Sequence, residues 1–377
     1  MKKVLLDNVR TGMTTAEPVK TKKGQILAGA GTVLNSNHIS RFTYYHIESV
    51  MIKDEDVMDS EVPEYQEDNK KQEEPKEDNQ TFANKSLSYA QKLGRTEEFR
   101  NFQISYALCL EDLKRSFTRI KNHEFNVGKE PILIHSDEVS RYRYPIEMFN
   151  MIQAVRFWED SIYSHCLNIA LETLIFAKWL NFSSEEQYDL TSSALLHGIG
   201  KTEVDPAVLN KVGKLSDEER KEMQAHTLYG YDILKKAGFD QRICNVPLQY
   251  HERLDGSGYP HGLKKGEIDK FPQIIAILDI YDGMTSIRPY RQPLCAFQVI
   301  EEFERIGYGK FNTKFMLTFL QHLAGMNQNS MIMLDNGVSG RVVYINRSLI
   351  SRPIIKTDDG LIIDLSKEPK RHIVSVF

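Results

Sequence analysis

The chain has 377 residues, 41% of them hydrophobic, and a formal net charge of −4, which is length for two or three domains and apolar material for at least one sizeable core. No stretch approaches the roughly 18 uncharged apolar residues of a membrane span, which excludes a spanning helix. Cys109, Cys166, Cys244 and Cys295 lie far apart without a C-x-x-C pair, which excludes a disulfide framework or thiolate zinc site and leaves four reduced core thiols.

The opening Met1-Lys2-Lys3-Val4-Leu5-Leu6-Asp7 offers three apolar residues before a charge, so no leader is expected and the chain reads as a cytoplasmic protein. Residues 1–53 hold short apolar runs broken by Gly12, Gly24, Gly29 and Gly31; they are expected to form a small β-rich module with a short helix near Asn37 to Tyr45. Residues 54–80 carry twelve acidic residues, three lysines and two prolines with almost no apolar content. Such a segment cannot bury enough surface to offset its ordering entropy, so 54–95 is read as an acidic, disordered linker. Its charge of −9 leaves about +5 for the rest of the chain, compatible with an anionic ligand and too weak for duplex nucleic acid.

From Thr96 to about Lys121, Phe99, Phe102, Ile104, Tyr106, Leu110, Leu113, Phe117 and Ile120 fall close to helical spacing. Helical signals dominate from there to Ala324, and 96–333 is taken as one helical domain. Ser184 with Gln187 predicts a helix start before Tyr188 to His197, with Gly198 at its end. Ser216 with Glu219 predicts another, from Arg220 to Lys236, stopping at Gly238. Val338, Val342 to Ile345 and Ile354 to Leu365 then read as strands, with turns at Asn336-Gly337 and Asp358-Asp359-Gly360. The expected fold is mainly α, with an N-terminal β-rich module and a short C-terminal β extension over 334–377.

His165, His197, His226 and His251, followed by Asp279, each lie on or beside a predicted helix, and metal ions take imidazole and carboxylate groups converging from separate helices. A lone histidine such as His165 is more often a hydrogen-bonded core residue, so spacing alone leaves the matter open. Order and context decide more. The run Ala194-Leu195-Leu196-His197-Gly198-Ile199-Gly200-Lys201, then His226, Gly230, His251-Glu252-Arg253, Asp255-Gly256-Ser257-Gly258-Tyr259-Pro260, Asp279, Asp282 and Arg288-Pro289-Tyr290-Arg291, resembles the HD-GYP family over about residues 160 to 320.

That resemblance implies a helical HD-GYP bundle and a metal-dependent phosphodiesterase that opens cyclic di-GMP with the help of iron or manganese ions. Carried over by position, it implies metal ligands at His165, His197, His226, His251 and Asp279. It implies phosphate or substrate contacts at Lys201, Arg288, Arg291 and Tyr259, with Lys201 also catalytic, and a signature loop at Gly258, Tyr259 and Pro260 that can meet partner proteins. The departures fall at metal positions. Gly198 stands where the family has a bridging aspartate, Tyr250 where it has a histidine, and Ser161 where three-metal members have a glutamate. His165, His197 and Asp279 remain for one ion, with His226 and His251 as a depleted second position; no bound ion is the further possibility. Asp160, Glu252 and Asp282 are positional candidates for replacement ligands. Three readings stand at this point: an impaired cyclic di-GMP protein that still binds nucleotide or partner, an active phosphodiesterase with an altered metal set, and a scaffold without nucleotide that meets partners such as diguanylate cyclases.

Overall fold

The computed structural model describes residues 1–5, 9, 13–20, 26–34, 42, 47, 49–53, 96–135, 145–155, 161–211, 213–286 and 293–377. These fall into two compact units, one holding the described residues up to 53 and the other those from 96 onward. In the first, β1 (Lys2–Leu5) pairs antiparallel with β4 (Ser49–Ile52), and β2 (Val19–Lys20) with β3 (Ile26–Ala28). Val50 and Ile52 alternate with the more exposed Ser49 and Met51, the two-residue period of a half-buried strand, and join Val9, Val19, Ala28, Leu34 and Phe42 in one core. The β-rich character of the module is borne out. The helix expected near Asn37 to Tyr45 lies outside the described residues apart from Phe42, and the acidic linker lies wholly outside them.

The second unit holds the helices α1 (Glu97–Lys121), α2 (Pro145–Val155), α3 (Ile162–Trp179), α4 (Ser184–Leu196), α5 (Pro206–Leu209), α6 (Asp217–Lys236), α7 (Gln241–Gln249), α8 (Lys270–Thr285), α9 (Ala296–Ile306) and α10 (Thr313–Met326). α1 begins where the sequence predicts, because Thr96 accepts the Phe99 N–H at 3.1 Å and Glu97 and Glu98 sit against the positive helix end. The apolar residues that marked its period are buried except Ile104, which is 58% exposed, and Leu108, outside that series, is exposed as well. Residue 104 is two positions from both Phe102 and Tyr106, on the opposite side of the helix. α4 starts one residue before the expected box: Ser183 and Glu186 cap each other, and Ser184 is already helical. α6 starts at the predicted Ser216–Glu219 box and stops at Gly238, whose φ of +85° only glycine adopts readily.

α3 is buried on almost every side and packs against α4, α8 and α1, the environment of a helix apolar all round. No helix among the described residues is long and apolar enough to cross a membrane. After α4 the chain makes a 3₁₀ turn, Ile199–Glu203, that lies directly on α6. This approach depends on glycine, since a Cβ on Gly200 would stand 1.9 Å from the His226 carbonyl oxygen and 2.4 Å from the Gly230 nitrogen. Closing that distance brings Lys201 and His226 to one region.

The C-terminal residues form a five-stranded antiparallel sheet in the order β8-β7-β6-β5-β9, with β5 Met331–Leu334, β6 Ser339–Tyr344, β7 Ile354–Thr357, β8 Ile362–Asp364 and β9 Ile373–Val376. β6 to β8 follow the expected strands and turns. β5 and β9 are additions, each four residues long and too short to stand out by alternation. The sheet is anchored on α9: Glu304 accepts the Ile350 N–H at 2.7 Å and the Ser351 hydroxyl, and Glu301 pairs with Arg352 and His372.

Gly200→Ala must push the 3₁₀ turn off α6, so it should lower stability by about 3 kcal/mol, at the upper end of overpacking costs. Gly325→Ala, in α10 with nothing within 4 Å of its new Cβ, should be neutral or raise stability by up to about 1 kcal/mol. Urea unfolding of the two variants beside the parent checks both.

Candidate metal centre

Three helix ends and the interiors of two further helices converge at the centre of the second unit. His165 lies in the first turn of α3, His197 caps α4, His226 is in α6, Tyr250 and His251 follow α7, and Asp279 and Asp282 share one face of α8 three residues apart. His165 Nε2 is 3.2 Å from Asp279 Oδ1 and 3.3 Å from His197 Nε2. One ligand atom from each of these three residues lies within 4.8 Å of the others.

The hydrogen bonds fix which nitrogens are available. A carbonyl only accepts, so His197 Nδ1 donates to Ala194 O at 2.6 Å and its Nε2 carries the lone pair that faces His165. His165 Nδ1 lies 2.7 Å from Asp282 Oδ2, the carboxylate–histidine arrangement that orients a metal ligand. Behind Asp282 stands Asn168, whose amide is 3.4 Å from Asp282 Oδ1 and whose carbonyl accepts the Tyr106 hydroxyl at 2.7 Å. Two imidazole nitrogens and a carboxylate oxygen so arranged fit one divalent ion.

The electrostatics follow from burial. His197, fully buried and facing the charges of His165 and Lys201, is pushed down to about 3; His226, buried and near Lys201, falls to about 4. His251 is also held well below the ordinary imidazole, chiefly by burial. For His165, burial and Lys201 oppose protonation, but Asp279 and Asp282 outweigh them and raise it. Burial opposes ionisation of Asp279, yet the His165 hydrogen bond, His251 and Lys201 hold it well below the usual carboxylate range. Lys201, on the 3₁₀ turn, is thus felt by all four histidines.

The departures have structural counterparts. Gly198 has φ −92°, which any residue adopts, so its backbone does not require glycine. A Cβ there would nevertheless stand 2.7 Å from Cys166 Sγ: the neighbour of His165 fills the space of a side chain at 198. Burial raises the Cys166 thiol to about 12, so it is an inert filler. Tyr250 is fully buried, and its hydroxyl lies 2.7 Å from His226 Nε2. His226 Nδ1 donates to Met223 O at 2.5 Å, so Nε2 accepts and the phenol donates. Burial holds that phenol well above its ordinary range. Ser161 caps α3 by accepting the Ser164 N–H at 3.2 Å.

The signature loop packs beside these groups. A Cβ on Gly258 would stand 2.4 Å from Glu252 Cα, so only glycine lets the loop close. The Tyr259 ring stacks on His251 with centroids 4.6 Å apart, and the Tyr259–Pro260 peptide is cis. Glu252 accepts the His261 and Leu263 N–H groups at 2.7 and 3.0 Å, which makes it a loop brace. Asp282 braces His165. Arg288 and Arg291, and Asp160 among the replacement candidates, lie outside the described residues. His251 Nδ1 is 3.9 Å from Asp279 Oδ2. Asn168 and Tyr106 were not visible from sequence, although the three-residue step from His165 to Asn168 matches that from Asp279 to Asp282. Cys166 is a buried thiol, as its sequence suggests, and in addition fills the space beside Gly198.

A model of the HD domain family matches residues 147–307. The chain is similar to the 3'3'-cGAMP-specific phosphodiesterase 3 of Vibrio cholerae, at 39% identity over 127 residues, 34% of this chain and 28% of that protein. It is similar to cyclic di-GMP phosphodiesterases of Pseudomonas aeruginosa, at 27% over 58% of this chain and 53% of that one, and of Thermotoga maritima, at 32% over 47% and 48%. It therefore spans from about a quarter to about half of the length of these relatives. Among solved structures, an HDG"Y"P protein of Bdellovibrio bacteriovorus aligns at 15% identity and a TM-score of 0.49, covering 85% of this chain and 99% of that one. Residues 147–307, which hold His197, the buried histidines around it and the Gly258-Tyr259-Pro260 loop, thus match the HD domain family.

Proposed function

We propose that this HD-GYP domain binds a cyclic dinucleotide, cyclic di-GMP or a close relative, and hydrolyses it poorly or not at all. The observation that carries this reading is position 198, where a carboxylate is absent and the sulfur of Cys166 fills the space it would need. A metal held by His165, His197 and Asp279, iron or manganese by the resemblance, would supply a Lewis acid for a phosphoryl oxygen and an acidified water. Without a carboxylate at 198, that position offers no group to bridge to a neighbouring ion.

The binding half of the proposal rests on the chain's own groups. Lys201 projects its charge onto the centre, and the Tyr259 ring, stacked on His251, offers an aromatic face at its edge. Arg288 and Arg291 are assigned to phosphate by resemblance, a task suited to guanidinium forks. The matched relatives act on cyclic dinucleotides by name, which supports that ligand class. An active enzyme with an altered metal set is the second reading, favoured by the convergence of His165, His197 and Asp279.

Isothermal titration with cyclic di-GMP and cyclic GMP-AMP tests the ligand. Arg288→Ala, Arg291→Ala and Lys201→Ala should each weaken binding about 10- to 100-fold, the worth of one charge-assisted hydrogen bond, with the unfolding midpoint held. No binding by the folded parent protein would leave a protein-interaction scaffold, and manganese- or iron-dependent turnover by the parent would establish the second reading.

Restoring the carboxylate tests position 198. Gly198→Asp alone should cost about 1–3 kcal/mol through its contact with Cys166, and Cys166→Ala in the same chain should recover at least about 1 kcal/mol beyond additivity in urea unfolding. Additive effects would mean that Cys166 does not occupy that space.

A further inference from the structure

Among the described residues, the second ion position of the centre keeps too few donors to fill it. Of the two histidines assigned to it, His226 has both nitrogens engaged, Nδ1 with Met223 O and Nε2 with the Tyr250 hydroxyl at 2.7 Å. The Tyr250 ring lies among the histidines themselves, with centroids 5.0 Å from His197, 5.9 Å from His226 and 3.9 Å from His251. It therefore takes the volume between them as well as the lone pair. Of the carboxylates that sequence position offers as substitutes, the two among the described residues are committed elsewhere, Glu252 to the backbone of the signature loop and Asp282 to His165 Nδ1. Position 198 has no side chain, and Cys166 closes its space. What remains among the described residues is His251 and the second oxygen of Asp279, 3.9 Å apart, too few donors for a divalent ion in a buried site.

We infer that this centre takes a single divalent ion, at His165, His197 and Asp279, and that the Tyr250 hydroxyl, bonded to His226, stands in the place of a second. The inference rests on the metal-centre reading of the HD domain and is independent of nucleotide binding. Here a neutral hydroxyl and a neutral imidazole satisfy each other, and no buried polar atom of the pair is left without a partner.

The experiment is a metal count on the full chain. Protein stripped of metal, loaded with manganese(II) alone and desalted, should carry one ion per chain by elemental mass spectrometry, with one class of site in isothermal titration. Two ions, or none, in the parent protein would overturn the inference. Tyr250→His should raise the count from one to two, because it removes the plug and adds an imidazole beside His226 and His251, and adding His226→Ala should return it to one. A folded Tyr250→His that stays at one overturns the role given to Tyr250. Loading with iron(III) gives a second readout: a visible phenolate-to-iron charge-transfer band that Tyr250→Phe abolishes would put Tyr250 on the ion and overturn the plug, whereas no band agrees with it. Cyclic di-GMP titration of the same samples separates failure of this inference from failure of the nucleotide proposal, since each is read by a different ligand.

Discussion

An imidazole in a dry helical core offers a usable lone pair only when its other nitrogen is fixed by a partner, and that constraint organises the centre of this protein. His197 and His226 meet it locally, each donating Nδ1–H to the carbonyl three residues back, Ala194 and Met223. His165 meets it across helices, through Asp282 of α8. Asp282 is in turn held near Asn168 of α3, and Asn168 accepts from Tyr106 of α1. One ligand orientation therefore sets the register of three helices, so α1, outside the matched family segment, belongs to the support of the site.

Close backbone approach is the second requirement. Gly200 and Gly230 let the 3₁₀ turn after α4 rest on α6, and that contact decides where Lys201 stands relative to His226. The charge pattern follows. Asp279 is the carboxylate among the ligating groups, with Lys201 and the histidines around it. A second carboxylate at 198 would hold a bridging ion and also repel a phosphate. Its absence would weaken the first function and relieve the second.

Much of this was legible in the sequence. Caps and apolar spacing located α1 and α6, turn residues located β6 to β8, and the histidine series with Asp279 named the groups that do come together. What sequence did not carry was pairwise geometry. Ser183 replaced Ser184 as the cap because the two boxes differ by one residue in register. Ile104 fell outside the apolar face because two residues on a helix turn through about 200°. β5 and β9 are too short for period to mark them. Asp282 and Glu252 offered themselves as spare ligands by position, and only the hydrogen bonds to His165 Nδ1 and to the signature loop show that both are already engaged.

The altered positions are not independent gaps in a motif. Read singly, glycine at 198 is a missing ligand and tyrosine at 250 a substituted one. In space, 198 is coupled to Cys166 by a contact that a Cβ could not share, and 250 is coupled to His226 by a hydrogen bond that uses the lone pair an ion would take. Close packing allows no void where a side chain has been lost, and burial allows no imidazole nitrogen without a partner. Each of these two departures is therefore met by a neighbour that fills the space or satisfies the donor. The groups left at the centre are His165, His197 and Asp279, with Lys201 nearby and the Tyr250–His226 pair beside them.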